Sequence, residues 1–144
     1  MPEPETIDRA REDAREGKSP STQAGEFVRE QIHHIREGKH GARSPQQAIA
    51  IGLSKARRAG VKLAAPKGPA SLRKKAAQDE QKSRQHRKTS SRRSRATERA
   101  LQHESRRSAS TSALSRQAKT AAAKRSASAR TRSARKAAQT RKHQ

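Results

Sequence analysis

The sequence contains no cysteine, no tryptophan and no tyrosine, and only one phenylalanine and one methionine among 144 residues. No disulfide, thiolate nucleophile or cysteine-ligated zinc can form. The lack of aromatics excludes the single-strand readers that stack bases on exposed rings, because Phe27, the one aromatic, lies in a helical pattern that claims it for a core. No run approaches the roughly 20 apolar residues of a membrane span. The start, Met1-Pro2-Glu3-Pro4-Glu5, has neither the basic nor the apolar region of a secretion signal, so a cytoplasmic protein is expected. Hydrophobic residues amount to 28% and the mean hydropathy is -1.30, too little for a sizeable core.

Arrangements that support catalysis are missing as well. There is no Ser/His/Asp order, no glycine-rich phosphate loop after a strand and no assembled carboxylate pair, so neither an enzyme nor a cofactor is expected, nor a small-molecule substrate. His33, His34 and His40 form an incomplete ligand set. Adjacent histidines on a helix point about 100° apart, and Glu30 or Glu37 would have to supply a further ligand, so no metal site is expected.

What is abundant is positive charge: 36 Lys+Arg against 13 Asp+Glu, a net +23, with a pI near 11.8. Such a field gathers a polyanion, and nucleic acid is the commonest. The charge is uneven. Residues 1–63 hold 12 basic and 9 acidic residues, and residues 64–144 hold the other 24 basic and 4 acidic.

Taken in order, residues 1–19 give a short charged helix and a break at Lys18-Ser19-Pro20. Residues 20–63 form a helical hairpin module. Phe27, Val28, Ile32 and Ile35 are expected to share one face of its first helix and to meet Ile49, Leu53 and Ala56 of its second. That second helix is well punctuated: Ser44 as N-cap, Pro45 at the first position, Gln47 where a capping box wants it, and Gly60 as the left-handed stop. Ile51 points off the stripe and marks a candidate partner surface. Residues 64–71 are a Pro/Gly linker. Residues 72–144, rich in Arg, Lys, Ala and Ser, are expected to be a disordered tail. The fold class expected is thus mostly α: a small two- to three-helix N-terminal module, followed by a long disordered basic tail. So small a module would complete its folding by homodimerising or by binding a partner.

Two groups of cations are candidate nucleic-acid contacts. In the head they are Lys39, Arg43, Lys55, Arg57, Arg58 and Lys62. In the tail they are Arg73, Lys74, Lys75, Arg92, Arg93, Arg95, Arg106, Arg107, Lys124, Arg125, Arg130, Arg132, Arg135 and Lys136. Arginine outnumbers lysine 15 to 9 from Ala64 onward, which favours phosphate recognition. Backbone-dominated, sequence-tolerant binding to nucleic acid follows from these residue types, with duplex DNA the expected partner ahead of RNA. A protein-interaction module and an RNA- or ribosome-associated protein are the alternatives.

The runs Gly25-Glu26-Phe27-Val28-Arg29-Glu30, His33 to Ser44 and Gln47-Ala48-Ile49-Ala50-Ile51-Gly52-Leu53-Ser54-Lys55-Ala56-Arg57-Arg58-Ala59-Gly60 resemble an uncharacterised family of small basic bacterial proteins, a domain of unknown function. Some members are labelled plasmid stabilisation proteins. The resemblance covers roughly residues 20–63 and implies a nucleoid- or plasmid-associated role, or an antitoxin-like partner. The segment Lys119-Thr120-Ala121-Ala122-Ala123-Lys124-Arg125 is similar in composition to linker-histone-like tails.

Overall fold

In a computed structural model, which describes residues 1–85 and 88–143, seven α-helices account for most of the chain. They are α1 (Pro4–Arg15), α2 (Pro20–Glu37), α3 (Pro45–Arg58), α4 (Ala70–Gln85), α5 (Ser91–Gln102), α6 (Thr111–Ala123) and α7 (Ala127–Lys142), with a 3₁₀ turn at Arg107–Ala109. The chain divides into two compact units, Met1–Ser110 and Thr111–Gln144. No helix of the described residues is long and apolar enough to cross a membrane.

This overturns the expected two- to three-helix module with a long disordered tail, because residues beyond 72 continue as helices α4 to α7. The physical reason lies in what a composition rule counts. It counts large apolar side chains, whereas the two commonest residues of this stretch, Ala and Arg, are strong helix formers, as are its Lys and Gln, and they outweigh its Ser and Thr, with no proline after Pro69. Local chemistry adds to propensity: Ser126 Oγ accepts from Ala129 N at 3.2 Å to cap α7, and Arg84 reaches Glu80 one turn back at 3.1 Å.

In the first unit, α2 packs between α1 and α3, and α4 packs on α3. Nine hydrophobic residues are buried among the described residues, and seven of them are alanines. One cluster joins Ala10, Ala24, Phe27 and Ala56, flanked by Ile7, Leu53, Val61 and Leu63. The other joins Ile35, Ala42, Ala48 and Ala109, with Ile32 beside it. A core built of alanines lets backbones approach closely instead of filling space with large side chains.

The caps of α3 form at the expected residues. Ser44 Oγ accepts from Gln47 N at 3.2 Å, and Gly60 is left-handed at φ 99. The reach-back of Gln47 differs, since its side chain accepts from Arg43 N at 2.6 Å. The buried line of α3 also differs from the expected Ile49, Leu53, Ala56 stripe: it is Ala48, Gly52 and Ala56, while Ile49 is only partly covered. The cause is the closeness of α2. A Cβ on Gly52 would lie 2.7 Å from Val28 Cα and 2.9 Å from Val28 N. Gly52→Ala is therefore expected to push α2 and α3 apart and to cost about 1–3 kcal/mol, measured by denaturant unfolding. An unchanged midpoint would contradict this helix contact.

Candidate nucleic-acid interface

A charge placed near an opposite charge in the fold is already neutralised, so each candidate cation must first be weighed by its neighbours. In the head, most are occupied. Lys39 Nζ lies 3.2 Å from Glu37 Oε2 and 3.4 Å from Glu3 Oε1. Its hydrogen bond to Glu37 first, then the one to Glu3, raises its pKa above the lysine range, and the same contact with Lys39 lowers that of Glu37. Arg43 is 3.7 Å from Glu104, and Arg57 donates to Ala64 O at 3.2 Å.

Arg58 has a structural task. Asp79 of α4, 1% exposed, accepts from Arg58 Nε at 3.0 Å and from Ser54 Oγ at 2.6 Å, while Arg58 Nη2 donates to Ser54 Oγ at 2.8 Å. This three-way contact fixes α4 on α3. A buried carboxylate is tolerated only with such partners.

Lys55 is half-buried, and no hydrogen bond or ion pair holds its ammonium among the described residues. Desolvation lowers its pKa from the ordinary lysine value. A folded pKa below the unfolded one means that charged Lys55 subtracts from stability at neutral pH; the deficit is recovered as pH rises from the folded pKa to about 10.4, the value in the unfolded chain. Lys55→Met is accordingly expected to raise the melting temperature and to leave the salt dependence of DNA binding unchanged. A lower melting temperature would show that the charged Lys55 does not cost stability, and a shallower salt slope would show that Lys55 contacts phosphate. Of the head candidates, Lys62 alone is exposed with neither an ion pair nor a side-chain hydrogen bond among the described residues.

Arg106, the first residue after Ser105, is also structural. Its Nε donates to Ile35 O at 3.2 Å and its Nη2 donates to Arg36 O, so the guanidinium covers the C-terminal carbonyls of α2 beside left-handed Gly38. Arg36 returns the contact, donating from Nε to Ala109 O at 2.9 Å.

The remaining tail candidates face solvent. Arg73, Lys74 and Lys75 open α4, and Arg92, Arg93 and Arg95 open α5, all exposed and with no acidic partner among the described residues. Arg107 is exposed in the 3₁₀ turn. Arg99, which residue counting missed, falls on the face of Arg92 and Arg95 at positions i, i+3 and i+7; helical spacing was the signal. Lys124 and Arg125 lie between α6 and α7, where Arg125 Nη2 donates to Ala129 O at 3.1 Å. Arg130, Arg132, Arg135 and Lys136 are exposed on α7. Thr111–Gln144 contains ten Lys+Arg and no Asp or Glu, and neither of its helices has a buried residue.

Ile51, the candidate partner surface, is half-buried and belongs to neither hydrophobic cluster. Phe27 is 1% exposed and cannot stack on a base. Comparison of the chain with protein-family models, curated proteins and solved structures finds no match.

Proposed function

We propose that the protein binds duplex DNA through the phosphate backbone, with little sequence preference, in a nucleoid- or plasmid-associated role. The observation that carries this reading is Thr111–Gln144: ten cations, no acid and no buried residue leave a helical surface with nothing in its own unit to neutralise it. The arginine row Arg92, Arg95, Arg99 on α5 adds a second surface of the same kind. Phosphate is the chemistry that suits closely spaced guanidinium groups, and each contact releases condensed counterions. The burial of Phe27 argues against a single-strand mode. The plasmid-stabilisation role implied by the run around Gln47 to Gly60 belongs to this proposal, as does a binding protein in place of an enzyme.

Titrating the full chain with a duplex of mixed sequence, from about 50 to 400 mM salt, tests the reading. A steep linear fall of log affinity with log salt is expected, on the order of several units of slope, equal for unrelated duplexes. Salt-independent binding would sink it. Structured RNA competing better than duplex DNA at matched salt would move the assignment to the RNA- or ribosome-associated alternative.

A further inference from the structure

The histidines that appeared as an incomplete ligand set in the sequence take on a different arrangement once α1 and α2 are packed. Glu30 and His34 are one turn apart on α2, so their side chains share a face. Glu3, the N-cap residue of α1, is brought against them. His34 Nε2 lies 2.9 Å from Glu3 Oε1 and 3.8 Å from Glu30 Oε1, and one ligand atom from each of the three residues falls within 4.8 Å of the others. His33, its neighbour in sequence, points elsewhere and pairs with Glu37 at 2.9 Å.

A second observation concerns Glu30 alone. It is 4% exposed; its Oε1 accepts from Glu3 N at 2.9 Å, but its Oε2 is buried with no hydrogen-bond partner. A buried carboxylate oxygen without a donor is costly, and a cation removes that cost directly. We propose that Glu3, Glu30 and His34 bind a divalent transition-metal ion, of which zinc is the best fit.

The donor set is one imidazole nitrogen and two carboxylates, which zinc accepts at about 2.0–2.2 Å in a tetrahedron whose fourth position is left to water. Tetrahedral ligand atoms then stand roughly 3.3–3.6 Å apart, so small side-chain movements close the site. In the metal-free protein, Glu3 carboxylate accepts from His34 Nε2–H. On binding, Nε2 gives its lone pair to the metal and neutral His34 carries its proton on Nδ1. Lys39, which also touches Glu3, does not lose its only partner when the metal takes that carboxylate, because Glu37 still holds it at 3.2 Å. The ion would tie the first residue of the α1 cap to the middle of α2 and so lock the N-terminal helix onto the head.

The test is titration of the full-length, metal-free chain with zinc sulfate by calorimetry, in a non-coordinating buffer at high enough salt to suppress nonspecific ion exchange. One ion per chain with micromolar or tighter affinity is expected, together with a zinc-dependent rise in melting temperature. His34→Ala and Glu30→Gln should each weaken zinc at least tenfold, while His33→Ala stays within twofold. If Glu30→Gln fails to fold, as judged by circular dichroism, Glu3→Gln takes its place, since Glu3 is exposed and its backbone N–H to Glu30 is retained. No saturable zinc binding, or equal loss in His33→Ala and His34→Ala, would overturn the proposal.

Discussion

Ending the chain at Ser110 is expected to lower its affinity for duplex DNA near 0.1 M salt by about four to five decades. The deleted segment, Thr111–Gln144, removes ten positive charges and no negative one. If about half of these ten engage phosphates, the slope of log affinity against log salt falls by about 4–5, at roughly 0.9 per contact, and a slope change of that size extrapolated from molar salt to 0.1 M gives the stated loss. The cut falls at the boundary between compact units, so the melting transition of Met1–Ser110 should persist. The measurement is fluorescence anisotropy of a labelled duplex for both chains over a range of salt. Equal slopes would show that the second unit makes no phosphate contacts and that binding rests on α4 and α5. Charge reversal on the α5 row, Arg92, Arg95 and Arg99 to Glu, then locates the remainder.

The second large effect is one of stability, at Gly41. The connection between α2 and α3 lies directly under residues 101–105: Gly41 N donates to Leu101 O at 2.8 Å and Ala42 N donates to Ser105 O at 3.0 Å. A Cβ at position 41 would stand 1.9 Å from Glu104 O and 2.8 Å from Ser105 O, both backbone atoms that no rotamer change can move. Gly41→Ala is therefore expected to lift this segment away from the head. The Arg106 contacts with the end of α2 would be lost, and Ile35, Ala42 and Ala48 would be left without Ala109. The cost should be about 3 kcal/mol or more, a fall of roughly 10 °C or more in the melting temperature. Gly25→Ala is the control, because a Cβ there meets nothing within 4 Å and an alanine inside a helix is favoured over glycine by about 0.5–1 kcal/mol. If Gly41→Ala melts no lower than the wild type, the close approach of residues 101–105 is refuted.

These two expectations draw on opposite kinds of information. The first follows from counting charges along the chain, and the tertiary structure adds the boundary at which to cut. Nothing in the sequence around Gly41 announces the second, since glycine there reads as the end of a helix. Its true constraint is a strand of backbone some sixty residues further along the chain. The same holds for Arg58 and Arg106. As residues they look like phosphate contacts, and the fold spends them on Asp79 and on the carbonyls of α2.

The expected disorder of residues 72–144 failed for a related reason. Low hydropathy with high net charge predicts disorder when order must come from large apolar side chains. Here Ala76 and Ala109 are buried, and Asp79, Arg106 and Arg36 make directed polar contacts that a composition measure does not register.

By itself the sequence determined the caps of α3, the breaks at Pro20 and Gly38, the burial of Phe27 and the excess of cations beyond Ala64. Each depends on residues close in the chain or on composition. Only the tertiary structure decided which cations remain without a partner and which glycines admit no side chain. It also brought Glu3 to the one face of α2 that carries both Glu30 and His34. The contacts that decide these outcomes include pairs separated by 21 to 73 positions, and the energies of such pairs exist only after helices have packed.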